Sequence, residues 1–154
     1  CRQVVENIFT VWLQAADVFD AASGPAEALG AYIDAKMEIS RTHPAGSKVW
    51  ATEVMHRAPV IQDYLETTLV EWTEGRIAVI QGWIDAGLMQ PIDPRHLLYM
   101  IWATTQHYAD FGHQIETLNN ARPLSDRQWT DAKRSVKRII LRGIGVPESE
   151  LANL

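Results

Sequence analysis

The sequence predicts an all-α fold. No stretch alternates apolar and polar residues for the length of a strand, and the Asn-Gly and Asp-Gly pairs that mark tight hairpins are absent. Apolar residues recur instead at intervals of three and four, and Gly, Pro, Ser and Asp punctuate them into six segments. With 154 residues, 47% of them hydrophobic, the chain is long enough for one domain with its own core.

The first helix is predicted over about residues 2–19, with Val5, Ile8, Phe9, Trp12, Ala15, Ala16 and Phe19 at helical spacing. The stretch Cys1-Arg2-Gln3 carries no N-cap residue, so the chain reads as beginning inside a helix, as a truncated first helix would. Ser23-Gly24-Pro25 breaks it, and Pro25 suits the first turn of a second helix carrying Leu29, Tyr32, Ile33, Lys36, Met37 and Ser40. His43-Pro44 ends that helix, and a short third one covers about residues 47–57 and stops before Pro59. A fourth, over about residues 60–86, carries Ile61, Leu65, Leu69, Trp72, Val79, Ile80 and Trp83 in one stripe. It would be roughly 40 Å long, with Gly87 as its C′ residue. Gly75 and Gly82 inside it point to close packing or a bend.

Asp93-Pro94 is the clearest start signal, an N-cap followed by proline at N1. It opens a fifth helix to about residue 118. Ser125 and Gln128 have the spacing of a capping box for the sixth, which carries Trp129, Ala132, Val136, Ile139 and Ile140. Short connections favour antiparallel neighbours. Residues 1–146 read as one domain and residues 147–154 as a flexible tail.

Composition excludes several classes. No apolar run reaches the length of a membrane span, and there is no signal peptide. One cysteine, Cys1, allows no internal disulfide and fits a cytoplasmic location. The net charge of −5 would repel nucleic acid. Walker, G-x-G-x-x-G and G-x-S-x-G motifs are absent, so no catalytic residue, cofactor or enzyme activity is expected. Glu53-x-x-His56 matches one element of a di-iron bundle, and a metal enzyme using Glu53 and His56 is an alternative reading. It lacks a second copy, since Asp110-x-x-His113 is an imperfect substitute. Lys133, Arg134, Lys137, Arg138 and Arg142 read as a solvated basic face near a helix C-terminus or as a phosphate contact.

The fifth helix is apolar nearly all round, which suggests one face on the core and one on a partner copy. A central helix in a monomeric bundle is the other possibility, and a pocketless dimerisation module a third. Trp102 and Gln106 lie one turn apart on the same face. A buried glutamine amide needs partners, either from the protein or from a ligand with matching donors and acceptors. Glu53, among Val49, Trp50, Val54 and Met55, either faces solvent or points inward and needs a donor. Trp12, Trp50 and Trp102 offer flat faces for stacking.

Pro91-Ile92-Asp93-Pro94-Arg95-His96-Leu97-Leu98, then Met100-Ile101-Trp102-Ala103, then Thr105-Gln106-His107-Tyr108-Ala109-Asp110-Phe111, closely resembles the penultimate helix of pyrimidine-responsive regulators of the TetR family. Trp12-Leu13, residues 32–40, Ser47, Glu53, Ala58-Pro59 and Gly82-Trp83 are similar more weakly. The resemblance implies the six-helix TetR regulatory domain, a homodimer built on the last two long helices, and an N-terminal helix-turn-helix domain, absent here, that binds operator DNA as a repressor. It also implies a planar effector such as uracil or thymine, with Trp102, Gln106, Glu53, Trp12 and Trp50 as candidate ligand-binding residues. The chain departs from the family at Trp50 and at His56-Arg57, on the short helix that would line the pocket.

Overall fold

The computed structural model describes residues 2–19 and 23–154, the Val18 side chain apart. Cys1, expected to lack a disulfide partner, lies outside the described residues. Among the described residues every regular element is helical. In order these are α1 (Arg2–Ala15), α2 (Pro25–Thr42), α3 (Pro44–Met55), α4 (Gln62–Tyr64), α5 (Val70–Asp85), α6 (Pro94–Asp110), α7 (Gly112–Leu118), α8 (Asp126–Gly143) and α9 (Glu148–Leu151). A 3₁₀ turn, Ala16–Val18, follows α1, and a π turn, Leu65–Leu69, joins α4 to α5.

Four boundaries differ from those expected. The first α-helix ends at Ala15 and tightens into the 3₁₀ turn, yet Phe19 still reaches the core. The third helix starts a turn early, because Pro44 takes its first position, where no N–H is needed. The fifth breaks at Phe111 (φ −116, ψ 29), just before Gly112, so α7 is a separate helix. Residues 147–154, expected to be a flexible tail, include α9, whose Leu151 is 3% exposed in the main core. Gly145 makes that return possible. Its φ of +90 suits glycine, and a Cβ there would lie 2.5 Å from Gln90 Cγ.

The predicted caps are in place. Asp93 accepts the Arg95 backbone N–H at 2.9 Å. Ser125 and Gln128 satisfy each other's backbone N–H in a capping box. Gly87 (φ +74) closes α5, with the Leu88 N–H donating to the Trp83 carbonyl. A Cβ at Gly75 or Gly82 would meet nothing within 4 Å, so neither marks close packing. Close approach occurs at Gly46, where a Cβ would sit 3.1 Å from Ile8 on α1.

The helices α2 and α6 form the central pair. Leu29, Ile33 and Met37 from α2 meet Leu98 and Ile101 from α6 in the main core, closed by Ile80, Trp83, Val136 and Leu141. Across the pair Ser40 Oγ donates to the Thr105 carbonyl at 2.6 Å, and both residues are buried. The basic run on α8 is largely paired. Lys133 meets Glu38 at 2.6 Å and Lys137 meets Asp34 at 2.9 Å, both on α2, while Arg138 pairs with Glu148. Two smaller clusters, Ile8/Phe9/Trp12/Ile39 and Val5/Ala58/Ile61, tie α1 to α3 and α4 beside the main core.

Candidate functional site

A cavity of about 220 Å³ lies where the small clusters meet the main core. Phe9, Trp12 and Leu13 enter it from α1, Tyr32 and Lys36 from α2, and Trp50 and Val54 from α3. Leu65 and Leu69 close it from the π turn, Trp72 from α5, and Trp102 and Gln106 from α6. For scale, an apolar cavity of about 150 Å³ takes up benzene.

Each side chain is where local sequence puts it. Phe9 and Trp12 are three apart on α1, as Tyr32 and Lys36 are four apart on α2 and Trp102 and Gln106 on α6. Leu65 and Leu69, four apart, both face inward from a π turn, a distortion frequent at functional sites. The aromatic rings brace one another. Phe9 stacks on Trp50 at 5.1 Å with planes 6° apart, and Trp12 meets Trp50 edge-on at 5.3 Å.

The polar groups are few and clustered. Lys36, 2% exposed, places its Nζ 4.2 Å from the Trp12 ring centroid and donates to Gln106 Oε1 at 3.2 Å. Burial lowers its pKa to about 7, against a smaller upward pull from Asp110. Asp110 itself accepts from Ser47 Oγ at 2.6 Å, which ties α6 to α3. Trp102 Nε1 donates to the Tyr32 hydroxyl at 3.1 Å, and burial pushes the Tyr32 phenol up. Lys36 and Tyr32 are the titratable groups lining the cavity. The arrangement can stack a flat ring on an indole face and offer hydrogen bonds to its edge.

Trp12, Trp50, Trp102 and Gln106 are thus brought together, and Glu53 does not join them. Glu53 is 9% exposed and turned inward, but toward the loop after α3. Its Oε2 accepts the backbone N–H groups of Val60 at 2.8 Å and Ile61 at 3.2 Å. That loop passes through left-handed conformations at Arg57 (φ 68) and Ala58 (φ 50), which leaves these N–H groups without helical partners. The carboxylate supplies the acceptor. His56 likewise bonds locally, its Nδ1 2.7 Å from the Thr52 carbonyl. Among the described residues no three His, Cys, Asp or Glu side chains gather as a metal site would require. Sequence reasoning passed over Lys36, Tyr32, Trp72 and the π turn as site features. The available signal was a lysine within the apolar stripe of α2.

No helix among the described residues is long and apolar enough to cross a membrane. The family model TetR_C_3, described as "YcdC-like protein, C-terminal region", matches residues 5–147. Relatives called HTH-type transcriptional regulator RutR, from Escherichia coli strain K12, Escherichia coli O157:H7 and Shigella flexneri, are each 37% identical over 141 residues. The alignment covers 92% of this chain and 66% of each relative. These relatives are transcriptional regulators, not enzymes. With its all-helical fold and a match over nearly its whole length, the chain belongs to the TetR family of transcriptional regulators, as the C-terminal region of a YcdC-like, RutR-like member.

Proposed function

We propose that the chain is the effector-binding and dimerisation part of a RutR-like regulator, and that the aromatic cavity takes a small planar ring such as uracil or thymine. The observation that carries this is the convergence of Trp12, Trp50 and Trp102 on a cavity whose polar wall is Gln106 and Lys36. An indole face can stack on a flat ring. The Gln106 amide and the Lys36 ammonium can meet ring carbonyls at its edge. The name of the relatives supports a whole protein that binds DNA through a helix-turn-helix. Ligand would then act by favouring the arrangement in which two such heads no longer match their half-sites, which relieves repression.

A second feature supports dimerisation. The outward face of α6 presents Tyr99 and Met100, with Phe111 at its C-cap, and α8 beside it presents Ile139, 73% exposed. Ala103, Thr104 and His107 lie between them on α6. Two copies of this surface, packed about a two-fold axis, would make a four-helix interface.

The test is a thermal melt of the 154-residue chain with uracil, thymine, cytosine and a purine. Uracil or thymine raises the melting temperature by several degrees at 100 times Kd, from about 2.7 kcal/mol of linkage. The purine leaves it unchanged, and Gln106→Ala removes the uracil response. If every base is without effect, the pyrimidine assignment is wrong.

A further inference from the structure

The polar wall of the cavity holds a lysine that, when protonated, has no contacting counter-ion. Lys36 is all but fully buried, and among the described residues no carboxylate lies within ion-pair distance of its ammonium. The groups around it come from three helices. Trp12 of α1 gives a ring face at 4.2 Å, and Gln106 of α6 gives a neutral carbonyl at 3.2 Å. Asp110 of α6 attracts from farther off, with one carboxylate oxygen already taken by Ser47 of α3. Tyr32, one turn earlier on α2, has its oxygen occupied by the Trp102 N–H. A ring face and a neutral oxygen solvate a cation only partly, and a buried cation without an anion is costly.

The same contacts decide what Gln106 has left to offer. An ammonium only donates, so in its protonated form Lys36 faces the amide oxygen, as it does here at 3.2 Å. With Oε1 committed to Lys36, Gln106, which lines the cavity, has its Nε2 donors left to offer a ligand. Glu53, the one carboxylate expected to accept from a ligand, is spent on the loop at Val60 and Ile61. The wall at Lys36 and Gln106 is therefore rich in donors, and an anion bound there would favour the protonated form of Lys36.

We infer that this cavity selects a planar ring bearing one negative charge on an edge oxygen, seated against Lys36 and Gln106, over a neutral ring of the same shape. The inference rests on the reading of the cavity as a site for a flat heterocycle, and adds the ligand's charge to it. A neutral carbonyl would fill one donor and leave the ammonium uncompensated. An enolate, imidate or ring carboxylate fills the donors and neutralises the charge, and stacking on Trp12 or Trp50 is unaffected by the substitution.

Calorimetric titration of the 154-residue chain at pH 7 with three rings tests this: uracil, which is neutral; barbiturate, the trioxo ring that is a monoanion at that pH; and orotate, the ring carboxylate. At least one anion should bind ten-fold or more tightly than uracil. In Lys36→Gln, and in Lys36→Met as the apolar alternative, the ratio of anion to uracil affinity should fall to three-fold or less, whatever the change in uracil binding itself. The comparison within the unaltered protein stands even if both variants misfold. Uracil binding as tightly as both anions, or a preference that survives loss of Lys36, overturns the charge selectivity and leaves the flat-ring reading intact. If none of the three binds, the flat-ring reading falls and this inference with it.

Discussion

The two walls of the cavity are built in different ways. On one side α2 and α6 belong to the main core, and the residues that present Lys36, Tyr32, Trp102 and Gln106 are backed by Ile33, Met37, Leu98 and Ile101. On the other side α1, α3 and the π turn stand on two small clusters, and the facing residues are almost all aromatic or aliphatic. Polar recognition needs atoms fixed to a fraction of an ångström, whereas stacking tolerates a shift along the ring plane. The division places the direction-sensitive groups on the half built into the main core and the stacking groups on the half held by the two smaller clusters.

The strongest way to break this comparison is to hollow each wall. Leu98→Ala removes a fully buried side chain from the main core and should lower the unfolding free energy by about 2–5 kcal/mol. Trp50→Ala, at a half-buried residue that already faces empty volume, should cost less. Urea unfolding of both decides it, and a larger loss for Trp50→Ala would mean that the aromatic wall holds the fold.

The next effect concerns Glu53. Glu53→Ala leaves two backbone N–H groups without their acceptor and should cost about 1–3 kcal/mol in the same assay. Affinity for a cavity ligand should stay within about two-fold, since Glu53 lines no part of the cavity. A ten-fold loss of affinity in a variant that remains folded would return Glu53 to the ligand site.

Lys36 makes a prediction with a defined sign. Its amine titrates near 7 when folded and near the ordinary lysine value of 10.5 when unfolded. Between those values the unfolded chain binds more protons, so Lys36 contributes a stability that rises with pH from 7 to 10.5. Below 7 the penalty of burying the ammonium is fully present. Lys36→Met should therefore stabilise the ligand-free chain at pH 6–7, by on the order of 1–3 kcal/mol. That advantage should shrink steadily toward pH 10. Melts of both proteins across that range would show it, and an advantage independent of pH would mean that the amine is neutral or solvated throughout. Smallest of all, Lys133→Ala at the half-exposed pair with Glu38 should change stability by no more than about 1 kcal/mol.

Local rules made much of this legible. Asp93-Pro94, Ser125 with Gln128, and Gly87 mark helix ends through chemistry that lies within a few residues, and each acts as expected. Trp102 and Gln106 share a face because helical spacing requires it. Glu53 shows where such reasoning stops. Its inward turn is one of two readings the sequence leaves open, and its partner depends on the left-handed turn at Arg57 and Ala58, which glycine-free sequence does not announce. The π turn at Leu65–Leu69 has no compositional mark, and its leucines pack in the two small clusters shared with α1 and α3. Lys36 was hidden by the habit of reading a lysine in an apolar stripe as a solvent-reaching side chain. Only the folded arrangement, with Trp12 above it and Gln106 beside it, shows that its ammonium stays inside.

The most direct test of the account sets the two faces of α6 against each other. Gln106 turns into the cavity, while His107, the next residue, is exposed on the apolar outward face. Four of the six tryptophans line the cavity, so intrinsic fluorescence reports its occupancy. Titration with a pyrimidine ring should change the emission of the unaltered chain and of His107→Ala with similar affinity. Gln106→Ala should weaken binding by ten-fold or more. Equal binding by all three proteins, or loss in His107→Ala alone, would place the ligand outside this cavity and contradict the account.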